Sequence, residues 1–310
     1  MSVNAQSIIL HQYDISPFSE KVRVVLGIKG LDWFACEEPV IMPKPELVAL
    51  TGGYRKIPVM QIGADIYCDT QIIIRELERR FPEPSIFVGG DRGLGWGVGL
   101  WTDRTFFMAA VAVIFGGAPD AMGEEFKADR TKLMGRPFDT DAMVAGAPMM
   151  AEQLRAHLGW VDEQLGDGRN FLMGDKPGIV DANAYYNLAF IRWIFPAGAK
   201  SADAMPRLAA WERRVAAIGH GNRQDIPREV ALDIAKAATS TEAVKADPGE
   251  PNGLKPGDRV TVMADDYGRD PISGELVSSS AQHIALKRND PRVGDVVVHF
   301  PRAGFLAMRA

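Results

Sequence analysis

Apolar positions near the start of the chain alternate between short continuous runs and helical stripes. Ile8, Ile9 and Leu10 form a run that predicts a strand over Ser7 to Tyr13. Ser16-Pro17 then reads as a helix start, with the serine placed to cap and the proline at the first helical position. Phe18, Val22, Val25 and Leu26 recur at i, i+4, i+7 and i+8, and Gly30 suits a left-handed stop. A second strand is expected to include Phe34 to Val40, followed by a loop containing Pro43, Pro45, Gly52 and Gly53. Ile57 to Met60 reads as a short strand beginning at a proline, and Gln61 to Tyr67 turns and pairs back. Asp69-Thr70 opens a helix carrying Ile73, Leu77 and Phe81, which Pro82 stops. The order is βαβ, then ββα, over residues 1–84.

From about Asp91 the pattern becomes helical without alternation: Trp96 to Phe115, Asp120 to Met134, Thr140 to Leu165, Val180 to Phe195 and Pro206 to Ile218. An all-α domain is expected over 91–236. Residues 237–253, centred on Pro248 to Gly253, have the composition of a linker. Five short strand-like runs follow (Arg259 to Met263, Ile272 to Val277, His283 to Lys287, Asp295 to Phe300 and Phe305 to Met308). Separated by turn residues, they suit a small all-β, barrel-like domain over 254–310. No internal repeat is visible.

A chain of 310 residues has the length of two or three domains, and 46% hydrophobic with 24% charged residues is a globular balance. Net charge is −5 without a Lys/Arg run, and the last unit, from Asp247 onward, carries nine acidic and eight basic residues. Nucleic acid is therefore not an expected partner. The residues from Met1 to Gln6 carry no basic region, and Ile8 to Leu10 is too short for a signal or a span, so no membrane partner and a cytoplasmic location are expected. Cys36 and Cys68 stand in no metal-like spacing and are expected to be buried thiols. The five histidines show no paired-ligand pattern, so no metal is expected.

The element order, Pro58 opening the third strand and Ser16-Pro17-Phe18-Ser19 at the first helix resemble the thioredoxin-like domain of the glutathione transferase superfamily. The similarity continues past the first domain in Phe171 to Ala182 and in Pro206-Arg207-Leu208 with Trp211. It implies an α/β thioredoxin-like domain plus an all-α domain, with glutathione as co-substrate, a small electrophile as second substrate and a homodimer. The wider fold carries a redox C-x-x-C or one cysteine where Ser16 and Ser19 stand, and serine cannot replace a thiolate in disulfide exchange.

The transferase role remains, in which a hydroxyl at a helix N-terminus donates to the glutathione sulfur. One hydrogen bond to a charged group plus the helix dipole supplies roughly 2 to 3 kcal/mol, and each unit of lowered thiol pKa needs about 1.4 kcal/mol. By resemblance Ser16 is the activator and Tyr13 the runner-up, although a serine here also serves as an ordinary helix cap. Ile57-Pro58 matches the family's cis-proline position, where the residue before proline offers its backbone N–H and C=O to the cysteinyl part of glutathione. Asp69-Thr70 stands where the family meets the γ-glutamyl head: the carboxylate meets the helix N-terminus and Thr70, while Asp69 faces the ammonium. Lys56, and less directly Lys44, are the residues proposed to reach the glycyl carboxylate.

Asp181 matches the aspartate of a family capping box whose Ser or Thr is Gly178 here, and its role is folding. Phe107, Met108, Tyr185 and Trp193 are candidates for an apolar co-substrate pocket, or simply core. The β domain departs from the two-domain pattern and carries no recognisable chemistry. A catalytically weak scaffold, in which that domain mediates protein or dimer contacts, is therefore the alternative to an enzyme.

Overall fold

The computed structural model describes residues 2–90 and 92–310. Met1 and Asp91, the latter the expected start of the helical domain, lie outside the described residues. The first unit has the expected order: β1 (Ile9–Gln12), α1 (Pro17–Lys29), β2 (Asp32–Glu37), β3 (Val59–Ile62), β4 (Asp65–Cys68) and α3 (Thr70–Arg80). Between β2 and β3 the expected loop contains a helix, α2 (Pro45–Thr51). Seven residues are too few for periodicity to show, but Pro45 occupies its first turn and Gly52, at φ 82°, ends it. Central β1 pairs with β2 in parallel and with β3 antiparallel, so Leu10 lies opposite both Ala35 and Met60.

The helical unit comprises α4 (Arg92–Trp101), a π-helical segment (Thr102–Phe106), α5 (Phe107–Gly117), α6 (Glu124–Met134), α7 (Thr140–Gln164), α8 (Ile179–Ile194), the single turn α9 (Lys200–Asp203) and α10 (Pro206–Ala216). Among the described residues one helical stretch, Arg92–Gly117, is long and apolar enough to cross a membrane. Here it belongs to the protein core: Phe106, Phe107, Ala110 and Ile114 are buried, and α5 packs on α7 and α8. Helix α8 runs through the middle, buried from Ile179 to Ile191.

The chain then returns to the first unit instead of ending as a helical tail. β5 (Asn222–Ile226) adds in parallel to β2, and α11 (Arg228–Ala237) packs near α2. Strand β5 is exposed and polar at four of its five positions, which hides it from a hydrophobic-pattern reading.

All five C-terminal strands form: β6 (Arg259–Ala264), β7 (Ile272–Ser279), β8 (His283–Asp290), β9 (Gly294–Pro301) and β10 (Phe305–Arg309). They are antiparallel among themselves, and β9 adds in parallel to β4, opposing Ile66 to Val298. The result is one ten-stranded sheet, ordered β10-β6-β7-β8-β9-β4-β3-β1-β2-β5. The pairing satisfies backbone groups that β4 would otherwise leave free at an edge. A shared core follows: Leu47, Leu50, Tyr54 and Ile66 pack in one cluster with Leu276, Ile284, Val298 and Phe300. Within the 237–253 segment, Lys245 exchanges hydrogen bonds with β7 (Lys245 N–H to Val277 C=O, 3.1 Å; Ser279 N–H to Lys245 C=O, 3.0 Å).

Candidate active site

A cleft separates the thioredoxin-like and helical units, and the residues lining it come from three sides. Tyr13, Ser16, Lys44, Lys56, Ile57, Pro58, Asp69 and Thr70 line it from the first unit. Phe107, Val111, Phe115, Phe126, Phe138 and Phe190 make an apolar wall, and Asp266, Tyr267, Gly304 and Phe305 enter from the C-terminal strands.

Ser16 is the N-cap of α1, and its Oγ accepts from the Ser19 N–H at 3.2 Å. A hydroxyl has one proton and two lone pairs, so capping uses an acceptor and does not consume the proton, for which the neighbouring Tyr13 oxygen and a cleft ligand compete. The two readings of this serine are compatible. The Tyr13 hydroxyl lies 3.4 Å from an Arg130 nitrogen, which donates to it. Burial raises the phenol pKa against the opposing influence of Arg130 and of hydrogen bonding to Ser16. Tyr13 is thereby kept protonated, and Ser16 is the hydroxyl at the helix terminus.

The Ile57–Pro58 bond is cis. Asp69 caps α3 by accepting from the Gln71 N–H at 2.9 Å, at a φ of 93° that side-chain-bearing residues seldom adopt. Such backbone strain persists where the surroundings enforce it, often at functional sites. Burial lifts the Asp69 carboxyl to about 6; Asp103 adds to the rise, while the Gln71 N–H, Lys56 and Lys21 oppose it. Thr70 is buried beside it at the helix start.

The two lysines differ. Lys56 is held from across the cleft by Asp266 Oδ1 at 3.1 Å and the Tyr267 carbonyl at 2.7 Å. Lys44 is 3% exposed, donates to the Arg55 carbonyl at 3.3 Å and lies 5.4 Å from the centre of the Tyr13 ring. Burial, then Arg130 and Arg55, lower its pKa to about 8 against Glu38 and Asp129.

Other cleft residues carried no sequence signal. The π-helical segment places Asp103 and Arg104 on the cleft, with Asp103 2.8 Å from Lys21 and accepting from the Tyr186 hydroxyl at 3.0 Å. Arg130 and Arg55 meet through Asp129, which pairs with both. Tyr267 belongs to an Asp-Tyr-Gly run that reads only as a turn.

Residues 10–85 match the family model described as "Glutathione S-transferase, N-terminal domain", and residues 124–214 match "Glutathione S-transferase, C-terminal domain". A probable glutathione S-transferase, GSTU1, from Oryza sativa subsp. indica is 24% identical over 214 residues, 67% of this chain and 85% of the relative. The crystal structure of a GST-like protein from Pseudomonas syringae is 35% identical, with a TM-score of 0.80, covering 98% of this chain and all of that one. The chain belongs to the glutathione S-transferase superfamily. The P. syringae match extends through the C-terminal strands. A glutathione S-transferase from Rhodospirillum rubrum, 23% identical with a TM-score of 0.52, covers 67% of this chain and 87% of its own and shares the fold.

Among the residues considered for the co-substrate pocket of this glutathione S-transferase, Phe107 lines the cleft. Met108, Tyr185 and Trp193 do not. Trp193 is 41% exposed, and Tyr185 packs edge-on to Trp211. Asp181 holds the helical unit together, accepting from Leu172 N–H (2.9 Å), Gly178 N–H (2.9 Å) and Trp211 Nε1–H (2.7 Å). Gly178 replaces the usual capping side chain for a steric reason. A Cβ there would stand 2.7 Å from the Ile86 carbonyl, which instead accepts from the Ile179 N–H at 2.8 Å.

Both cysteines are buried and free. The tertiary structure also gathers His11, Cys36 and Glu38 within 4.8 Å, a grouping the sequence spacing conceals. The His11 ring is already engaged by Glu38 (2.9 Å) and Gln61 (3.0 Å). Burial pulls its pKa down, but Cys36 and Glu38 outweigh that and raise it to about 10, which makes a buried ion pair.

Proposed function

We propose that the protein binds glutathione in this cleft and activates its thiol through the Ser16 hydroxyl for attack on a small apolar electrophile. The carrying observation is Ser16 itself, a capping serine on the cleft whose proton the cap does not use. In this reading the cysteinyl backbone pairs with Ile57, the γ-glutamyl head sits on Asp69 and Thr70, and buried Lys44 serves the glycyl carboxylate while Lys56 is occupied by Asp266. The Phe107, Val111 and Phe115 side of the cleft receives the electrophile. Adaptor function, with the C-terminal strands recruiting a partner, has less support, because those strands contribute side chains to the cleft.

Calorimetric titration of glutathione, combined with ultraviolet titration of the bound thiolate, tests the reading. Ser16→Ala is expected to retain binding and raise the bound thiol pKa by about one to two units, the equivalent of one hydrogen bond to a charged group. An unchanged thiol pKa would transfer the role to Tyr13. A wild type that binds no glutathione would remove the proposal.

A further inference from the structure

The turn between β6 and β7 enters the cleft and is tied at both ends of its approach. Asp266 and the Tyr267 carbonyl hold Lys56, and the Tyr267 ring centre lies 4.6 Å from Lys56 Nζ. On the helical side, the Gly268 N–H donates to the Leu133 carbonyl at 2.8 Å. Gly268 has a φ of 61°, and a Cβ there would meet Leu133 Cδ1 at 2.8 Å and Lys56 Cε at 3.2 Å. The left-handed backbone favours glycine here, and the missing side chain lets Leu133 and Lys56 lie against the turn.

This anchoring directs Tyr267 to the boundary between the polar and apolar parts of the cleft. Lys56 touches its ring, Asp69, Asp103 and Arg130 are near enough to act on its phenol, and Leu133 marks the start of the apolar wall. Among the described residues its hydroxyl has no hydrogen-bond partner, whereas the nearby Tyr186 hydroxyl shares its one proton between the Thr102 carbonyl at 2.9 Å and Asp103 Oδ1 at 3.0 Å. Apolar ligand sites fix orientation through a few polar groups of this kind.

Resting on the transferase reading above, we propose that Tyr267 is a substrate-contacting residue. Its hydroxyl donates a hydrogen bond to the carbonyl oxygen of an otherwise apolar electrophile, so the C-terminal strands supply part of the selectivity of the site. The phenol suits a donor: burial first, then Asp266 and Asp103, raise its pKa, so it keeps its proton near neutral pH. A carbonyl oxygen only accepts, which complements it.

Binding of two S-conjugates of glutathione with equal chain length, S-alkyl and S-(3-oxoalkyl), to the full chain and to Tyr267→Phe tests the assignment. The variant retains the ring over Lys56 and removes only the hydroxyl. It is expected to weaken the oxo conjugate roughly three- to tenfold, the effect of one neutral hydrogen bond, and to leave glutathione and the alkyl conjugate unchanged. Equal weakening of both conjugates, or of neither, with glutathione binding intact, would overturn the role of Tyr267 alone. Loss of glutathione binding in the wild type would overturn the transferase reading and this inference with it.

Discussion

His299 Nε2 stands 3.1 Å from Asp65 Oδ1, donating across the junction where β9 meets β4. Ser240 and Thr241 hydrogen-bond to the same carboxylate, and His299 Nδ1 is 3.0 Å from His283 Nε2. The segment leading to the C-terminal strands and the strands themselves are thus fastened to one buried acid of the first unit.

This junction makes stability pH-dependent. Burial acts to raise the Asp65 pKa, but the bonds from His299, Ser240 and Thr241 win and hold it at about 2. Its contribution is complete above the ordinary value of 3.8 and is lost as pH falls toward 2. His283 is pushed down to about 3 by burial and then by His299, with Arg75 and Lys245 acting the same way and Glu76 opposing; Glu242 lies 3.9 Å away. Between pH 6.5 and 3 the unfolded chain therefore binds a proton that the folded chain refuses, and stability falls as pH drops through that window. Asp69, raised to about 6, stabilises the folded chain as pH falls toward 3.8 and so opposes this loss, and the expected outcome is a difference: from pH 6.5 to 4 the urea midpoint of the wild type falls relative to that of His283→Gln. Asp65→Asn is expected to lose roughly 2 kcal/mol at pH 7, since it removes the charged acceptor of the hydrogen bonds from His299, Ser240 and Thr241. An unchanged slope in His283→Gln would locate the proton uptake elsewhere.

Removing the C-terminal strands is expected to damage the first unit. The Val297 N–H donates to the Ala64 carbonyl at 2.9 Å, and Val298 and Phe300 share the core of Leu47, Leu50 and Ile66. A chain ending at residue 253 would expose that core and free the β4 edge for pairing between molecules. Light scattering should show association, and thermal unfolding should lose cooperativity. A monodisperse truncated protein with an unchanged melting temperature would show that the units fold independently.

Glutathione affinity is expected to depend on Asp69. Burial raises its carboxyl to about 6, so the anionic form that attracts the glutamyl ammonium is lost as pH falls through that value. Calorimetry from pH 5 to 8 should give affinity increasing with pH around 6 in the wild type. Asp69→Asn should bind more weakly at pH 8 and show no rise near pH 6; a persistent rise would assign the titration to another group.

Local structure, and the parts of the site that depend on it, can be read from neighbouring residues. Ser16-Pro17 and Asp69-Thr70 are helix starts written in adjacent residues, and their capping bonds span two or three positions. The long stripes of α5, α7 and α8 are strong enough to be read from periodicity, and so are the five C-terminal strands. Tertiary structure decided what those elements meet. Whether β9 pairs with β4 depends on an edge more than two hundred residues away, and backbone hydrogen bonds leave no residue-specific mark. Polar β5 gains its place by the same kind of pairing. Tyr267 reaches the cleft only because that edge is joined, Lys56 lies within 3.1 Å of Asp266, and Gly268 fits against Leu133. A hydrogen-bonding turn looks alike in sequence whether it faces solvent or a substrate, and only long-range packing separates the two.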